Sequence, residues 1–153
     1  MNIVDKTDAF MPFLKEAIGQ KRSDLEISKL VIAKGESMTQ IPSNSMDIVV
    51  HTFILCSVDD YTAVLSEVHR VLKPGGVCVF IEHSLDNKNG LRWLIQKLIG
   101  PVWFCGLDCR FKCMDTIFKS AKYESITHKK FEITHPFFLY LVNPIVYGYG
   151  CKT

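Results

Sequence analysis

Two histidines and a few acids placed after apolar runs are the residues of this 153-residue chain that could do chemistry. His51 follows Met46-Asp47-Ile48-Val49-Val50, and His83 follows Val77-Cys78-Val79-Phe80-Ile81-Glu82. An imidazole has a reference pKa of ~6.5, so either ring could move a proton near neutrality, or either could be a packed, satisfied histidine. Asp5 closes the short stretch Ile3-Val4, where a carboxylate can accept hydrogen bonds from both hydroxyls of a ribose or cap the helical segment that follows. Glu36-Ser37-Met38 reads as a binding turn or as a solvated one. Cys105, Cys109 and Cys113 are four apart, one stripe if helical; with no C-x-x-C pair, a structural cluster is expected rather than a metal site.

The elements that must position these residues follow from periodicity. Asn2 to Asp5 reads as the end of a strand, and Phe10, Phe13, Leu14, Ala17 and Ile18 recur at helical spacing. Leu25 to Ala33 carries a second strand and Met46 to Leu55 a buried one with its exit. Asp59 and Asp60 can cap a helix from Tyr61 to Leu72, striped by Val64, Leu65, Val68, Val71 and Leu72. That helix ends on Lys73-Pro74-Gly75-Gly76, a stop and positive-φ turn, and runs into Val77 to Ile81, whose unbroken apolar character predicts a strand covered on both faces. Leu91 to Phe104 is aromatic and amphipathic, with a break expected at Gly100-Pro101. Met114 to Ala121 is helix-like, Tyr123 to Thr134 an alternating exposed strand, and Ile145 to Tyr147 strand-like. The strand and helix alternation predicts an α/β, doubly wound, mostly parallel sheet with antiparallel strands at its C-terminal end, in one domain spanning 1–153.

Composition narrows the functional classes. A net charge of +2 argues against a nucleic-acid track. Hydrophobic residues make up 48% and the mean hydropathy is +0.14, which points to a membrane surface, a greasy substrate or a missing partner. Asp5, Lys6 and Asp8 interrupt any signal core, and six cysteines without a signal segment read as reduced thiols in an intracellular protein.

The Val68-His69-Arg70-Val71-Leu72-Lys73-Pro74-Gly75-Gly76 junction, read with Gly35-Glu36-Ser37-Met38, Ser45 to Val50, Leu55-Cys56-Ser57-Val58, Glu82-His83 and Pro101-Val102-Trp103 with Gly106, resembles class I S-adenosylmethionine-dependent methyltransferases of the type 11 kind. More narrowly, it is similar to small membrane-associated methyltransferase-like proteins that methylate alkyl thiols. The resemblance implies a Rossmann-like fold and S-adenosylmethionine as cofactor. It implies cofactor contacts at Asp5 (ribose), at Glu36, Ser37 and Met38 (adenine), and at His51, Thr52 and Phe53 beyond the fourth strand of that fold. His51 and His83 become candidate proton-transfer groups, no metal is implied, and the acceptor becomes a small lipophilic thiol.

That family begins with a membrane-anchoring segment, a first strand and a G-x-G-x-G loop, none of which matches here, since Gly148-Tyr149-Gly150 follows no strand-to-helix context. The sequence is therefore expected to start at the family's second strand, with two unpaired sheet edges and an open core face. Residues 91–113 become a candidate lid or membrane-facing segment, with Arg92 and Lys97 reaching out of an apolar surface of Trp93, Leu94, Leu98, Ile99, Trp103 and Phe104, at an endoplasmic reticulum or lipid-droplet surface or, without an anchor, in the cytosol. A non-catalytic remnant or partner-binding module is the alternative. A nicotinamide-binding module is disfavoured by the Lys-Pro-Gly-Gly junction and the Glu-His pair.

Overall fold

The computed structural model describes residues 1–21, 26–87, 90–119, 121, 123, 125–134 and 137–153. Their elements, in order, are β1 (Asn2–Asp5), α1 (Met11–Lys21), β2 (Lys29–Ile32), β3 (Met46–Thr52), α2 (Tyr61–Val71), β4 (Leu72–His83), α3 (Leu91–Leu107), α4 (Met114–Lys119), β5 (Ser125–Phe131) and β6 (Ile145–Cys151), with a 3-10 turn at Phe137–Val142. β1 pairs with β2 in parallel, Asp5 opposite Ile32. β3 pairs with β4 in parallel, Val50 opposite Val79, while β6 runs antiparallel to both β4 and β5. The architecture is the expected Rossmann-like α/β arrangement, with parallel pairs first and antiparallel strands late.

One sheet was expected to hold all the strands; among the described residues there are two, β1-β2 and β3-β4-β6-β5. No described strand lies between β1 and β3, so the outer edges of both lack a ladder partner. A common core still joins the two sheets. Val31 of β2 packs with Val64, Leu65 and Val68 of α2, Phe80 of β4, and Ile117 and Phe118 of α4. At the start of the strands, Asn2 Nδ2 reaches Met46 Sδ at 3.8 Å.

The helix-to-strand junction is direct. Asp60 caps α2 by accepting from the Thr62 and Ala63 amides at 2.9 and 3.0 Å. At the other end, Lys152 Nζ donates to the carbonyls of His69 and Leu72, both at 2.7 Å. Lys73-Pro74-Gly75-Gly76 belongs to β4 as a bulge rather than to a separate turn, because Met46 opposes Leu72 while Ile48 opposes Val77. Gly75 takes φ +76°, and a Cβ on Gly76 would come within 2.8 Å of the Lys73 carbonyl oxygen, so this bulge needs both glycines.

β4 is not covered on both faces. Cys78, Phe80 and Glu82 are buried, while Val79 and Ile81 are each 37% exposed and their neighbours on β3, Ile48 and Val50, are 62% and 64% exposed. Among the described residues nothing seals that face.

α3 corrects two expectations. It runs unbroken through Gly100-Pro101, since a proline costs one backbone bond and a local clash that the rest of a 17-residue helix can absorb. Arg92 does not reach outward. It is 8% exposed, bonds Asp86 at 2.7 Å and Glu132 at 2.6 Å, and lies over the Tyr140 ring. Glu132 first, then Asp86, raise the Arg92 pKa against the cost of burial, so its charge is fixed. One turn on, Gln96 is also buried, donating to the Leu141 and Asn143 carbonyls and accepting from the Asp86 amide. The helix thus turns polar residues inward and exposes Leu91, Leu94, Leu98 and Val102. The side chains of Trp103 and Phe104 lie outside the described ones.

Candidate functional site

The carboxyl ends of the strands carry most of the residues singled out by the sequence, tied together by loop contacts. Asp5 ends β1; its Oδ1 accepts from the Thr7 amide at 3.0 Å, an Asx turn that leaves Oδ2 open among the described residues. Glu36 stands in the turn after β2, and its Oε1 accepts from the Asp59 amide at 3.1 Å, joining that turn to the loop after β3. Ser37 is exposed on the same turn. Met38 is not at the surface: its side chain is in the core and its amide donates to Glu67 Oε2 at 2.7 Å.

The two histidines separate. Successive residues of a strand point to opposite faces, and the parallel register puts His51 on the packed face with Phe80 and Glu82, and His83 on the other. His51 is 4% exposed and bonds Glu82 Oε1 through Nδ1 at 2.7 Å. Burial works against its charged form, but the Cys78 thiol and the Glu82 carboxylate outweigh it and raise its pKa to about 9. His51 is therefore an imidazolium at neutral pH, donating from Nδ1, with Nε2 buried and unpartnered. The sequence left open a proton-transfer group or a packed histidine, and the chain packs His51.

His83 stacks on Phe53, ring centroids 4.2 Å apart and planes at 24°. Burial lowers its pKa, so the ring is neutral, and its Nδ1 is buried without a partner. Phe53 takes φ +52°, uncommon for an aromatic residue, and its amide donates to the Ile81 carbonyl at 2.9 Å. Thr52 is exposed at the end of β3.

Sequence reasoning kept Glu82 only as a companion of His83. Fully buried, it accepts from His51 Nδ1 and from the Ile54 and Leu55 amides at 3.1 and 3.2 Å, so one carboxylate holds the loop that presents Phe53. Its signal was the acid at an inward position of an otherwise apolar strand, where a charge must be paired.

A strap from Asp108 to Lys112 crosses these loops. Lys6 Nζ meets Asp108 at 3.0 Å, the Arg110 amide donates to the Cys56 carbonyl at 2.9 Å, and Lys112 Nζ donates to the Leu55 and Val58 carbonyls at 2.7 and 2.9 Å. Between the strap and α3 lies a cavity of about 300 Å³ lined by Gln96, Lys97, Gly100, Pro101, Arg110 and Phe111. The cysteine stripe does not form: Cys105 is exposed on α3, Cys109 is buried in the strap, and Cys113 lies just before α4. Among the described residues no group of three or more His, Cys, Asp or Glu could hold a metal ion.

The residues present fit the adenosine end of S-adenosylmethionine. An open carboxylate oxygen on Asp5 and the Glu36 turn stand at neighbouring strand ends, where ligands of open α/β sheets bind.

Comparisons with known proteins bear on the family and the fold. A family model described as "Methyltransferase domain" matches residues 3–80, from β1 into β4. Human thiol S-methyltransferase TMT1A is 34% identical over 152 residues, 97% of this chain and 61% of that protein. Thiol S-methyltransferase TMT1B of Rattus norvegicus is 40% identical over 100 residues, 65% of this chain and 41% of that protein. The chain thus spans less than two thirds of the length of these relatives. Among solved structures, an S-adenosylmethionine-dependent methyltransferase of Methanosarcina mazei superposes with a TM-score of 0.70 at 15% identity, covering 99% of this chain and 81% of that one. A Haemonchus contortus phosphoethanolamine N-methyltransferase, solved with S-adenosylhomocysteine, superposes with a TM-score of 0.72 at 14% identity, covering 99% and 43%. At such identities the structures speak for the fold alone. The match over more than half of the chain, from β1 into β4, makes this chain a member of the class I S-adenosylmethionine-dependent methyltransferase family.

Proposed function

We propose that the protein transfers the methyl group of S-adenosylmethionine to the sulfur of a small lipophilic thiol. The similarity to TMT1A, named a thiol S-methyltransferase and aligned over nearly the whole chain, carries this reading. S-adenosylmethionine supplies a methyl group on a sulfonium centre. Asp5 would hold the ribose hydroxyls through Oδ2, and Glu36 and Ser37 would face the adenine; the Met38 amide is already committed to Glu67. Methyl transfer to a soft thiolate depends on in-line approach and exclusion of water. The Phe53–His83 stack offers a flat, apolar wall for that, and neutral His83 can take the thiol proton. His51 acts at one remove as a positioning residue, because its bond to Glu82 steadies the Ile54 and Leu55 amides next to Phe53.

The same reading sets α3 on a lipid surface. Leu91, Leu98 and Val102 are 75%, 71% and 77% exposed while Arg92 and Gln96 are turned inward, the reverse of a water-facing helix. No helix among the described residues is long and apolar enough to cross a membrane, so the contact proposed is peripheral. Flotation with liposomes tests it: Leu98→Glu with Val102→Glu should abolish co-flotation, and unchanged flotation would remove α3 from the contact.

The decisive experiment compares this chain with a chimera that adds the preceding segment of human TMT1A. Calorimetry with S-adenosylmethionine should give at least about tenfold tighter binding by the chimera, since the added segment can complete the ladder and core face between β1 and β3. The chimera should move labelled methyl to a small aliphatic thiol, and His83→Ala should slow that turnover by about a hundredfold. Micromolar binding by the chain alone would show that Asp5 and Glu36 suffice. Turnover on oxygen or nitrogen acceptors, with none on thiols, would keep the methyltransferase and discard the sulfur acceptor. The open face of Ile48, Val50, Val79 and Ile81 favours a second reading, a non-catalytic partner-binding module, which a chimera that folds but neither binds nor turns over would support.

A further inference from the structure

Two cysteines that the mechanism does not use meet where the strap crosses the loop after β3. Cys56 is 2% exposed and Cys109 7%. The chain brings them together through three contacts. The Arg110 amide, next to Cys109, donates to the Cys56 carbonyl at 2.9 Å, and Lys112 Nζ holds the carbonyls of Leu55 and Val58 on either side of Cys56. That places Cys109 beside Cys56, close enough to favour the Cys56 thiolate. Lys112 Nζ, held on the Leu55 and Val58 carbonyls, adds a positive charge near the pair. Cys56 Sγ also lies 3.5 Å from Ser57 Oγ and 3.6 Å from the Phe53 carbonyl.

We propose that Cys56 and Cys109 form a redox-reactive dithiol that a hydroperoxide closes to a disulfide, tying the strap to the loop that presents Phe53. The Cys109 contact, set against burial and the nearby Glu82 charge, lowers the Cys56 pKa to about 7, so a thiolate is available near neutrality. Cys56 Sγ attacks a peroxide oxygen: an S–O bond forms, the O–O bond breaks, and the departing hydroxide leaves as water after taking a proton. Cys109 Sγ then attacks the Cys56 sulfenic acid; the S–S bond forms, the S–O bond breaks, and hydroxide leaves with the Cys109 proton as a second water. Two thiols lose two electrons in all, and one hydrogen peroxide becomes two waters. Burial selects the oxidant, since peroxide is small enough to reach the pair and a bulky aromatic disulfide is not.

The bond would join residues far apart in sequence and clamp the strap over the strand ends. The proposal stands on the strap geometry and does not depend on the acceptor assigned above. The test uses the whole reduced chain: exposure to hydrogen peroxide, alkylation with N-ethylmaleimide, and peptide mapping. The expected product is one Cys56–Cys109 cross-linked peptide, reversed by dithiothreitol, with two of the six free thiols lost. A bulky aromatic disulfide should instead modify the exposed Cys105 first. Cys56→Ser and Cys109→Ser should each remove the cross-link, and the double variant Cys105→Ser with Cys151→Ser should keep it. Full alkylation of both Cys56 and Cys109 after peroxide has oxidised Cys105, or a cross-link between any other pair, would overturn the proposal.

Discussion

On one face of β4, Cys78 and Phe80 lie in the core with α2 and α4, and Glu82 is sealed beneath the loop after β3; on the other, Val79, Ile81 and His83 border an open surface shared with Ile48 and Val50. The residues of the two faces alternate along one strand and are apolar on both sides, so composition does not set them apart. What differs is the cover. The packed face has helices and a polar residue placed to be satisfied; the open face has neither, yet keeps side chains suited to burial. A sequence that reads as a strand buried on both sides therefore specifies a demand for two covers, and the described residues meet one.

The contrast can be broken first at Glu82. Glu82→Ala removes the acceptor for His51 and two amides and leaves a buried imidazolium unpaired, so unfolding in urea should show a loss of about 3–5 kcal/mol. Phe80→Ala empties the space between His51 and Phe118, whose ring lies 4.1 Å from that of Phe80, and should cost about 3–4 kcal/mol in the same measurement.

Acidity separates the faces next. The His51 pKa is raised on folding, so its contribution is complete below about 6.5 and fades as pH rises through about 9, a loss of roughly 3 kcal/mol at about 1.4 kcal/mol per pH unit. The His83 pKa is lowered, so its contribution is present above about 6.5 and is lost as pH falls through the depressed value. Chemical denaturation across pH should show both limbs, His51→Gln removing the alkaline one and His83→Gln the acid one.

The smallest effect tests the open face itself. Val50→Thr should change stability by less than about 0.5 kcal/mol, as for a surface position. A cost above about 1.5 kcal/mol would show that another segment covers the face in solution.

Much of the frame was legible. Apolar β-forming runs, with alternation at Tyr123 to Thr134, located the six strands among the described residues, and the acid pair before Tyr61 located the cap of α2, because these signals are local. The division into two sheets depends on which strands find a ladder partner, and no single run of residues shows that. Other features depend on partners distant in sequence. Arg92 turns inward because Asp86 and Glu132 meet it, and nothing in a charged residue on an apolar helix announces that. Pro101 signalled a break that helix geometry tolerated. The site was half legible: Asp5, Glu36 and Phe53 fall at strand ends as their positions implied, but His51 and His83 give the same local signal, and only the register with β4 assigns them to opposite faces. The pairing of Cys56 with Cys109 had no sequence signal, since the strap that joins them lies outside any helix.

The order β3-β4-β6-β5 places the last strand in sequence inside the sheet rather than at its rim. β6 alone bridges β4 and β5, and it fits because Gly148 has no Cβ to collide with the Thr127 carbonyl oxygen. During synthesis β3 and β4 are made before β6, the strand that pairs with β4 on its other edge. Until β6 is available, the β4 edge of the β3–β4 pair has no ladder partner among the described strands. Pairings between strands so far apart in sequence close late, and a bare β-edge in the interval is open to pairing with another chain.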